Sequence, residues 1–160
     1  MFSALTTFTK VHVVISLIGI FAGFVVVFGL LTAKRLEGWT ALFLVTTLLT
    51  SVTGFFFPFH GFTPAIGVGI VSLVVLAIGI FARYGRKLTA AWRWIYVVTA
   101  MLALYLNVFV LIVQLFQKVP ALKALAPTQA EPPFLVAQLG ALVIFVGLTV
   151  FAAIRFRPSS

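Results

Sequence analysis

Four side chains in this sequence are suited to acid–base or metal chemistry: two histidines and two glutamates. The membrane topology predicted from the apolar runs places His12, His60 and Glu131 on one side of a membrane. Two imidazoles and a carboxylate suit zinc, copper or iron, and two imidazoles alone could ligate a haem. The three residues come from separate segments with no diagnostic spacing. We therefore predict no cofactor, and a metal ion or a bis-histidine haem remains an alternative.

Several classes of chemistry lack the residues they need. The chain has no cysteine, which excludes disulfides, thiolate nucleophiles and iron–sulfur ligation. With only Glu37 and Glu131 as acids, a proton relay through buried carboxylates is excluded as well. No serine nucleophile motif is present, so we expect no enzyme. The net charge of +9 comes from basic residues beside apolar runs, so a membrane explains it better than a nucleic acid.

The composition is that of an integral membrane protein. Hydrophobic residues make up 63% of the chain and charged residues 8%, against about 25% charged in soluble domains. The apolar residues form runs of about 20, the length of a membrane-spanning helix. We predict an all-α polytopic helical bundle, a single membrane domain over residues 1–160. The five predicted transmembrane helices are 11–32, 39–58, 64–82, 94–116 and 134–154.

The first run is expected to be a retained span, because its apolar core exceeds the roughly 7–15 residues of a signal peptide. Orientation follows from the basic residues. Eight lie on the side of the 34–39 loop, the 83–93 loop and the C-terminus, and three lie on the other side. The positive-inside rule then puts the N-terminus outside and the C-terminus inside. The inner basic rim should attract anionic lipid.

Two spans carry polar stripes that should avoid lipid. On the fourth span the stripe is Trp92, Tyr96, Thr99, Ala103, Asn107, Val110, Gln114 and Gln117, and Tyr105 points the opposite way. The arc on the second span is Thr46, Thr47, Thr50, Ser51, Thr53 and Gly54. Either the stripes form interhelical hydrogen bonds or they line a neutral pocket. Asn107 is the central candidate, with Thr46, Thr50 or Thr53 as its expected partner. Phe57 and Phe59 would form an aromatic lip at the pocket mouth.

Small residues recur on one face of three spans, where they let helix backbones approach closely. The three sets are Ser16, Gly19 and Gly23; Ala65, Gly69 and Ser72; and Ala137, Gly140 and Ala141. Packing within one chain and packing between subunits are both open. The segment 117–133 is predicted to form a short helix on the outer surface, followed by a polar turn that could close over the bundle.

Residues 53–64 and 106–134 resemble stretches of small multi-pass proteins of bacterial inner membranes, a family of uncharacterised activity. The resemblance covers about a quarter of the chain and implies a bacterial cytoplasmic membrane location. It implies no activity, ligand or site residue.

The favoured function is a small non-catalytic membrane protein that acts as an oligomeric or accessory subunit of a membrane assembly. Its expected partners are anionic lipid and either further copies of itself or a larger complex. The runner-up is a binding or permeation module that holds a quinone, a lipid or another neutral solute between the second and fourth spans. The third hypothesis is a haem- or metal-binding redox protein that uses His12 and His60.

Overall fold

The computed structural model describes residues 2–34, 36–56, 64–128 and 130–156. Over these residues the chain is helical and contains no strand, so the all-α prediction is confirmed. The elements are α1 (Phe2–Leu31), α2 (Glu37–Gly54), α3 (Pro64–Ile80), a π-helix (Phe81–Gly85), α4 (Trp92–Lys118), α5 (Pro120–Leu125) and α6 (Pro132–Arg155). The short surface helix expected after the fourth span is α5, which begins with a proline as predicted.

Four helical segments among the described residues are long and apolar enough to cross a membrane. They are Lys10–Leu31, Ile66–Gly85, Trp92–Phe116 and Pro132–Arg155. The fifth long helix, α2, is less apolar because it contains five threonines, a serine and Glu37. It ends at Gly54 rather than at residue 58, because Phe55 and Phe56 donate to carbonyls only three residues back.

The long helices alternate in direction, and each packs against its neighbours in the chain. α1 pairs most extensively with α2, and α4 contacts α3, α6 and α1. We call the end that holds residues 34, 36–40, 81–96 and 152–156 the basic end. It contains the first residues of α2 and α4 and the last residues of α1 and α6. The other end, which holds residues 8–16, 50–56, 109–128 and 130–138, is called the opposite end.

The core contains buried residues of all five long helices, and within it α1 packs closely against α2 and α4. A Cβ added at Gly23 would lie 2.6 Å from Leu104 of α4 and 3.0 Å from Phe43 of α2. A Cβ at Gly19 would lie 2.9 Å from Oγ1 of Thr46. This glycine pair therefore packs within the chain.

The other small residues differ in their surroundings. A Cβ at Gly69 would lie 2.9 Å from the Phe55 ring, and Ser72 is buried. Ser16 is half-buried and donates to the carbonyl of Val13 in its own helix. At Gly140 a Cβ meets no atom of the described residues within 4 Å, so the predicted close packing is not found there within the described chain and packing between subunits stays a prediction.

Candidate functional site

The π-helix directs the side chain of Arg83 toward the interior of the bundle. Its wide turn closes with a 2.8 Å hydrogen bond from the Arg86 amide to the carbonyl of Phe81. A π turn adds one residue to a helical turn, which changes the face that the following side chains occupy. Here Ala82 and Arg83 are buried, and Arg83 is only 3% exposed. The positive charge at the end of α3 therefore lies against other helices rather than in the surrounding solvent.

Arg83 joins two other helices through its guanidinium group. Nη2 lies 3.1 Å from Oε2 of Glu37 at the start of α2, and Nη1 donates to the hydroxyl of Tyr96 on α4 at 3.0 Å. The guanidinium carbon is also 5.1 Å from the centroid of the Tyr96 ring, within the range of a cation–π contact. The Tyr96 hydroxyl is fully buried and is hydrogen-bonded to Thr40. Glu37, Thr40, Arg83 and Tyr96 together are called the Arg83 cluster.

A second arginine attaches α6 to the same end. Arg93 Nη1 donates to the carbonyls of Ala153 at 2.8 Å and Phe156 at 2.7 Å. The last carbonyls of a helix have no partner within the helix, so a cation here both bonds them and complements the helix dipole. Phe156 is fully buried, and its ring centroid lies 5.9 Å from that of Tyr96. The Arg83 cluster and Arg93 thus connect four helical elements within one end of the bundle.

The sequence analysis missed this cluster. It placed Tyr96 on a polar stripe, but it treated Arg83 as one of several basic residues at span ends and gave Glu37 no partner. One signal was available. Charged groups near the membrane pair with one another, and Glu37 is the only acid on the side that holds eight basic residues.

The predicted contact between the stripes of the second and fourth spans occurs at Asn107, with a different partner. Asn107 Nδ2 donates to Oγ1 of Thr47 at 3.2 Å. The expectation of Thr46, Thr50 or Thr53 as the partner is wrong. Those three hydroxyls donate to carbonyls of α2 itself, at Leu42, Thr46 and Leu49. Successive helical residues are about 100° apart, so Thr47 can face α4 while Thr46 faces Gly19 of α1.

The remaining pocket candidates do not share one centre. Thr99 donates to the carbonyl of Ile95 and lies against Gly79 of α3, whereas Gln114 is exposed. Phe57 and Phe59, the predicted aromatic lip, lie outside the described residues. The polar stripes therefore form separate contacts at different heights of the bundle.

At the opposite end, His12 Nδ1 lies 2.6 Å from Oγ1 of Thr53, which joins the start of α1 to the end of α2. Glu131 instead accepts hydrogen bonds from Thr128, including one of 3.0 Å from its amide. These bonds lower the pKa of the Glu131 carboxyl, and the bond from the Thr128 hydroxyl has the largest effect. His60 lies outside the described residues, and the residues that are described contain no group of three potential metal ligands.

Gln138 on α6 is a buried polar residue that sequence reasoning also missed. It is 8% exposed, and its Nε2 donates to the carbonyl of Phe109 at 3.3 Å. Its Oε1 is buried and has no hydrogen-bond partner in the part of the chain that the structure describes. Aromatic rings of α4 and α6 pack along the same seam. These ring pairs are Tyr105 with Phe109, Tyr105 with Phe145, and Phe116 with Phe134.

Comparison with protein-family models, with curated proteins and with solved structures finds no match to this chain.

Proposed function

We propose that the chain is a non-catalytic, five-span subunit that assembles with a second copy of itself through the exposed face of α6. The observation that carries this proposal is a pair of glycines in open surroundings. A Cβ added at Gly140 or at Gly147 would meet no atom of the described residues within 4 Å. The two glycines are seven residues apart, which places them on one face of α6 about 10.5 Å from each other.

The face of α6 that carries these glycines points away from the bundle. Three residues of α6 are buried, Gln138, Phe145 and Ala152, and they lie toward α4. On the glycine face, Val136 and Val143 are each 69% exposed. A glycine that faces lipid contributes no side-chain packing, whereas a second helix can approach closely over two such positions. The open space around both glycines therefore favours a helix partner over lipid.

A second copy of the chain fits this face. Copies inserted in the same direction are related by a two-fold axis along the membrane normal, so each α6 presents its glycines to the other. The face has no polar side chain from Val136 to Ile154, so close packing alone can hold the pair. No charged or hydrogen-bonding partner chemistry is required.

The arrangement of α2 supports a fifth span despite its polar composition. Its buried residues include Thr40, Thr46, Thr47 and Ser51, which lie toward other helices. Apart from Glu37 in its first turn, its exposed large side chains are apolar: Trp39, Leu42, Val45, Leu48, Leu49 and Val52. A helix with an apolar outer surface and a polar inner surface suits hydrocarbon surroundings, because every hydroxyl can be bonded within the protein.

The proposed orientation puts the basic end in the cytoplasm. Exposed aromatic residues with a polar tip, Trp39, Tyr84 and Trp94, also gather there, as expected at a membrane–water interface. The exposed Arg86 lies 5.7 Å from the Trp92 ring centroid, where its charge can reach anionic lipid head groups. Together with the resemblance noted above, this favours a bacterial cytoplasmic membrane.

A pocket between α2 and α4 has less support, because Asn107 and Thr47 bond each other directly. A haem- or metal-binding role for His12 and His60 is likewise the weaker hypothesis, since His12 already contacts Thr53. The Soret band and metal content of the purified protein test that role.

Cysteine cross-linking tests the assembly, and the native chain needs no cysteine removed. Single cysteines at Val136, Gly140, Val143 and Gly147 are oxidised in native membranes. Control cysteines are placed at Val45 of α2 and Val74 of α3, which are 55% and 56% exposed. We expect disulfide-linked dimers from the α6 positions alone. Dimers that form at the control positions, or the absence of dimers at every position, would overturn the proposal.

A disruption experiment complements the cross-linking. The double variant Gly140→Ile and Gly147→Ile should keep the fold of the single chain, because a Cβ at either position meets no atom of the described residues within 4 Å. It should dissociate the dimer in mild detergent, as measured by native mass spectrometry. Ala77→Ile on the exposed surface of α3 is the control and should leave the dimer intact.

Reporter fusions test the five spans and their orientation. A reporter that functions only in the cytoplasm should be active after Ser160 and inactive in the 126–128 turn. Equal activity at both sites, or the reverse pattern, would contradict the five-span topology.

A further inference from the structure

The buried amide of Gln138 has one polar atom left to bond. Its Nε2 is used by the carbonyl of Phe109, and Oε1 accepts no hydrogen bond within the described chain. In an apolar interior a polar atom without a partner costs free energy, and in hydrocarbon no bulk water offsets that cost. The amide is therefore positioned to accept a hydrogen bond from a molecule outside this chain.

The hydrogen-bonding groups of the glutamine side chain limit the chemistry of that molecule. The side-chain oxygen only accepts, so its partner must bring an O–H or N–H donor. A ketone, an ester or an ether lacks such a proton and cannot complete the bond. Rotation of the amide by 180° is disfavoured, because it would place Oε1 against the carbonyl oxygen of Phe109, which cannot donate a hydrogen bond.

The surroundings of Gln138 define the rest of the ligand. Tyr105 and Phe109 form a ring pair on α4 with centroids 6.3 Å apart, and Phe145 of α6 lies 5.7 Å from Tyr105. These rings favour flat or unsaturated apolar groups. Gln138 lies six residues after Pro132, about 9 Å along α6 from its first residue, a depth that membrane-soluble molecules occupy.

Access to the amide is from the lipid side. Leu135 and Leu142, one turn before and one turn after Gln138, are 47% and 41% exposed. Ala141, on the adjacent turn, is small and half-buried. A ligand can therefore reach Gln138 by displacing flexible leucine side chains, with no change in the backbone.

We propose that Gln138 and the aromatic seam between α4 and α6 bind a membrane-soluble hydroxyl compound, either an isoprenoid alcohol or a quinol, with its O–H donated to Oε1 of Gln138. This site does not depend on the proposed assembly. Gly140 is two residues from Gln138, about 200° around the helix, so the ligand and the second copy would contact opposite faces of α6.

The test compares ligands that differ by one hydrogen-bond donor. Wild-type protein in lipid nanodiscs is titrated with farnesol and with farnesyl methyl ether, and separately with decylubiquinol and decylubiquinone. One neutral hydrogen bond corresponds to about a five-fold difference in Kd. We expect the hydroxyl form to bind about five-fold more tightly in at least one pair, and the pair that responds identifies the ligand class.

Two variants link this preference to the amide. Gln138→Leu removes the acceptor with little change in volume, and it should bind both members of a pair equally. Gln138→Met serves the same purpose if the leucine variant fails to fold. Gln114→Leu, at an exposed glutamine of α4, should keep the wild-type preference. Equal binding of both forms by the wild type, or a preference that survives in Gln138→Leu, would overturn the proposal.

Discussion

The two ends of the bundle are held together by different interactions. At the basic end, Arg83 and Arg93 make four contacts of 2.7–3.1 Å with three neighbouring helical segments. At the opposite end the described contacts include the His12–Thr53 pair, an edge-to-face contact of Phe116 with Phe134, and a 3.3 Å bond from Gln138, and these three involve no arginine or lysine. Hydrogen bonds that involve a charged group are about twice as strong as neutral ones. The helices should therefore be fixed at the basic end and separate more easily at the opposite end.

This difference predicts which end of the bundle opens more easily. Regions with few strong contacts open first, and ligand-binding regions come from the less stable part of a structure. The Gln138 seam lies toward the opposite end, where the helices can separate without breaking an ion pair. The Arg83 cluster would keep the helices assembled during such opening. The following predictions test this difference between the ends.

The largest effect is expected when the central charge of the basic end is removed. Arg83→Met should lower the free energy of unfolding by about 1.5–3 kcal/mol, because it removes the bonds to the buried Tyr96 and to Glu37, whose side chain is 62% exposed. Equilibrium unfolding in mixed micelles measures the change. Arg86→Met, at an exposed arginine three residues away, is the control and should change stability by less than about 0.5 kcal/mol. Similar values for both variants would remove the distinction between the ends.

A smaller effect is expected midway along the bundle. Asn107→Leu should cost about 0–1.5 kcal/mol, because hydrogen bonds between membrane helices average about 0.6 kcal/mol and leucine packs well in an apolar bundle. Thermal stability and the quinone and lipid content of wild type and variant are compared side by side. If the folded variant loses a co-purifying ligand, Asn107 lines a pocket and the runner-up function regains support.

The opposite end should tolerate loss of its histidines. Replacing His12 and His60 with glutamine should change the free energy of unfolding by less than about 1 kcal/mol, because His12 is half-buried and glutamine can also hydrogen-bond the Thr53 hydroxyl. The same unfolding assay measures this. A loss of stoichiometric metal or of a chromophore would instead support the redox hypothesis.

The smallest effect concerns the pH response of the turn before α6. Hydrogen bonds from Thr128 lower the pKa of Glu131 below its ordinary value of 4.5. Because the folded pKa is the lower one, the stabilisation is complete above pH 4.5 and is lost as the pH falls through the lowered value. A ¹³C NMR titration of the Glu131 carboxyl should give a midpoint below 4.5, and Thr128→Val should raise it. A midpoint at 4.5 in the wild type would contradict the contact.

Sequence reasoning predicted the features that depend on helical periodicity. The apolar runs gave the helices, and the stripe on the fourth span brought Asn107 to the second. It failed where the outcome depends on a single residue step. Thr46 and Thr47 are adjacent and chemically identical, and both hydroxyls lie near Gly19 of α1, so only the packing of whole helices decides that Thr47 is the one that Asn107 of α4 reaches. Gln138 was missed because it is an isolated amide in an apolar run, with no polar neighbours to form a stripe.

The burial of Arg83 could not be predicted from helical periodicity, for a related reason. A basic residue after an apolar run is typical of a side chain that extends to the membrane surface. The sequence FARYG contains no proline that would mark an interruption of the helix. The extra residue of the π turn results from the packing of whole helices, which local periodicity does not encode.

The π-helix also has a consequence for the gene. Loss of one codon within residues 81–85 would convert the wide turn into an ordinary α-helical turn and rotate the two flanking segments by about 100° relative to each other. The reading frame and the hydropathy profile would scarcely change, yet the guanidinium would leave Glu37 and Tyr96. Related genes one codon shorter at this point should therefore encode an apolar residue in place of Arg83 and a neutral residue in place of Glu37. Proteins with the π turn and the Arg83 cluster would thus differ by one residue in length from relatives that close the basic end with apolar contacts.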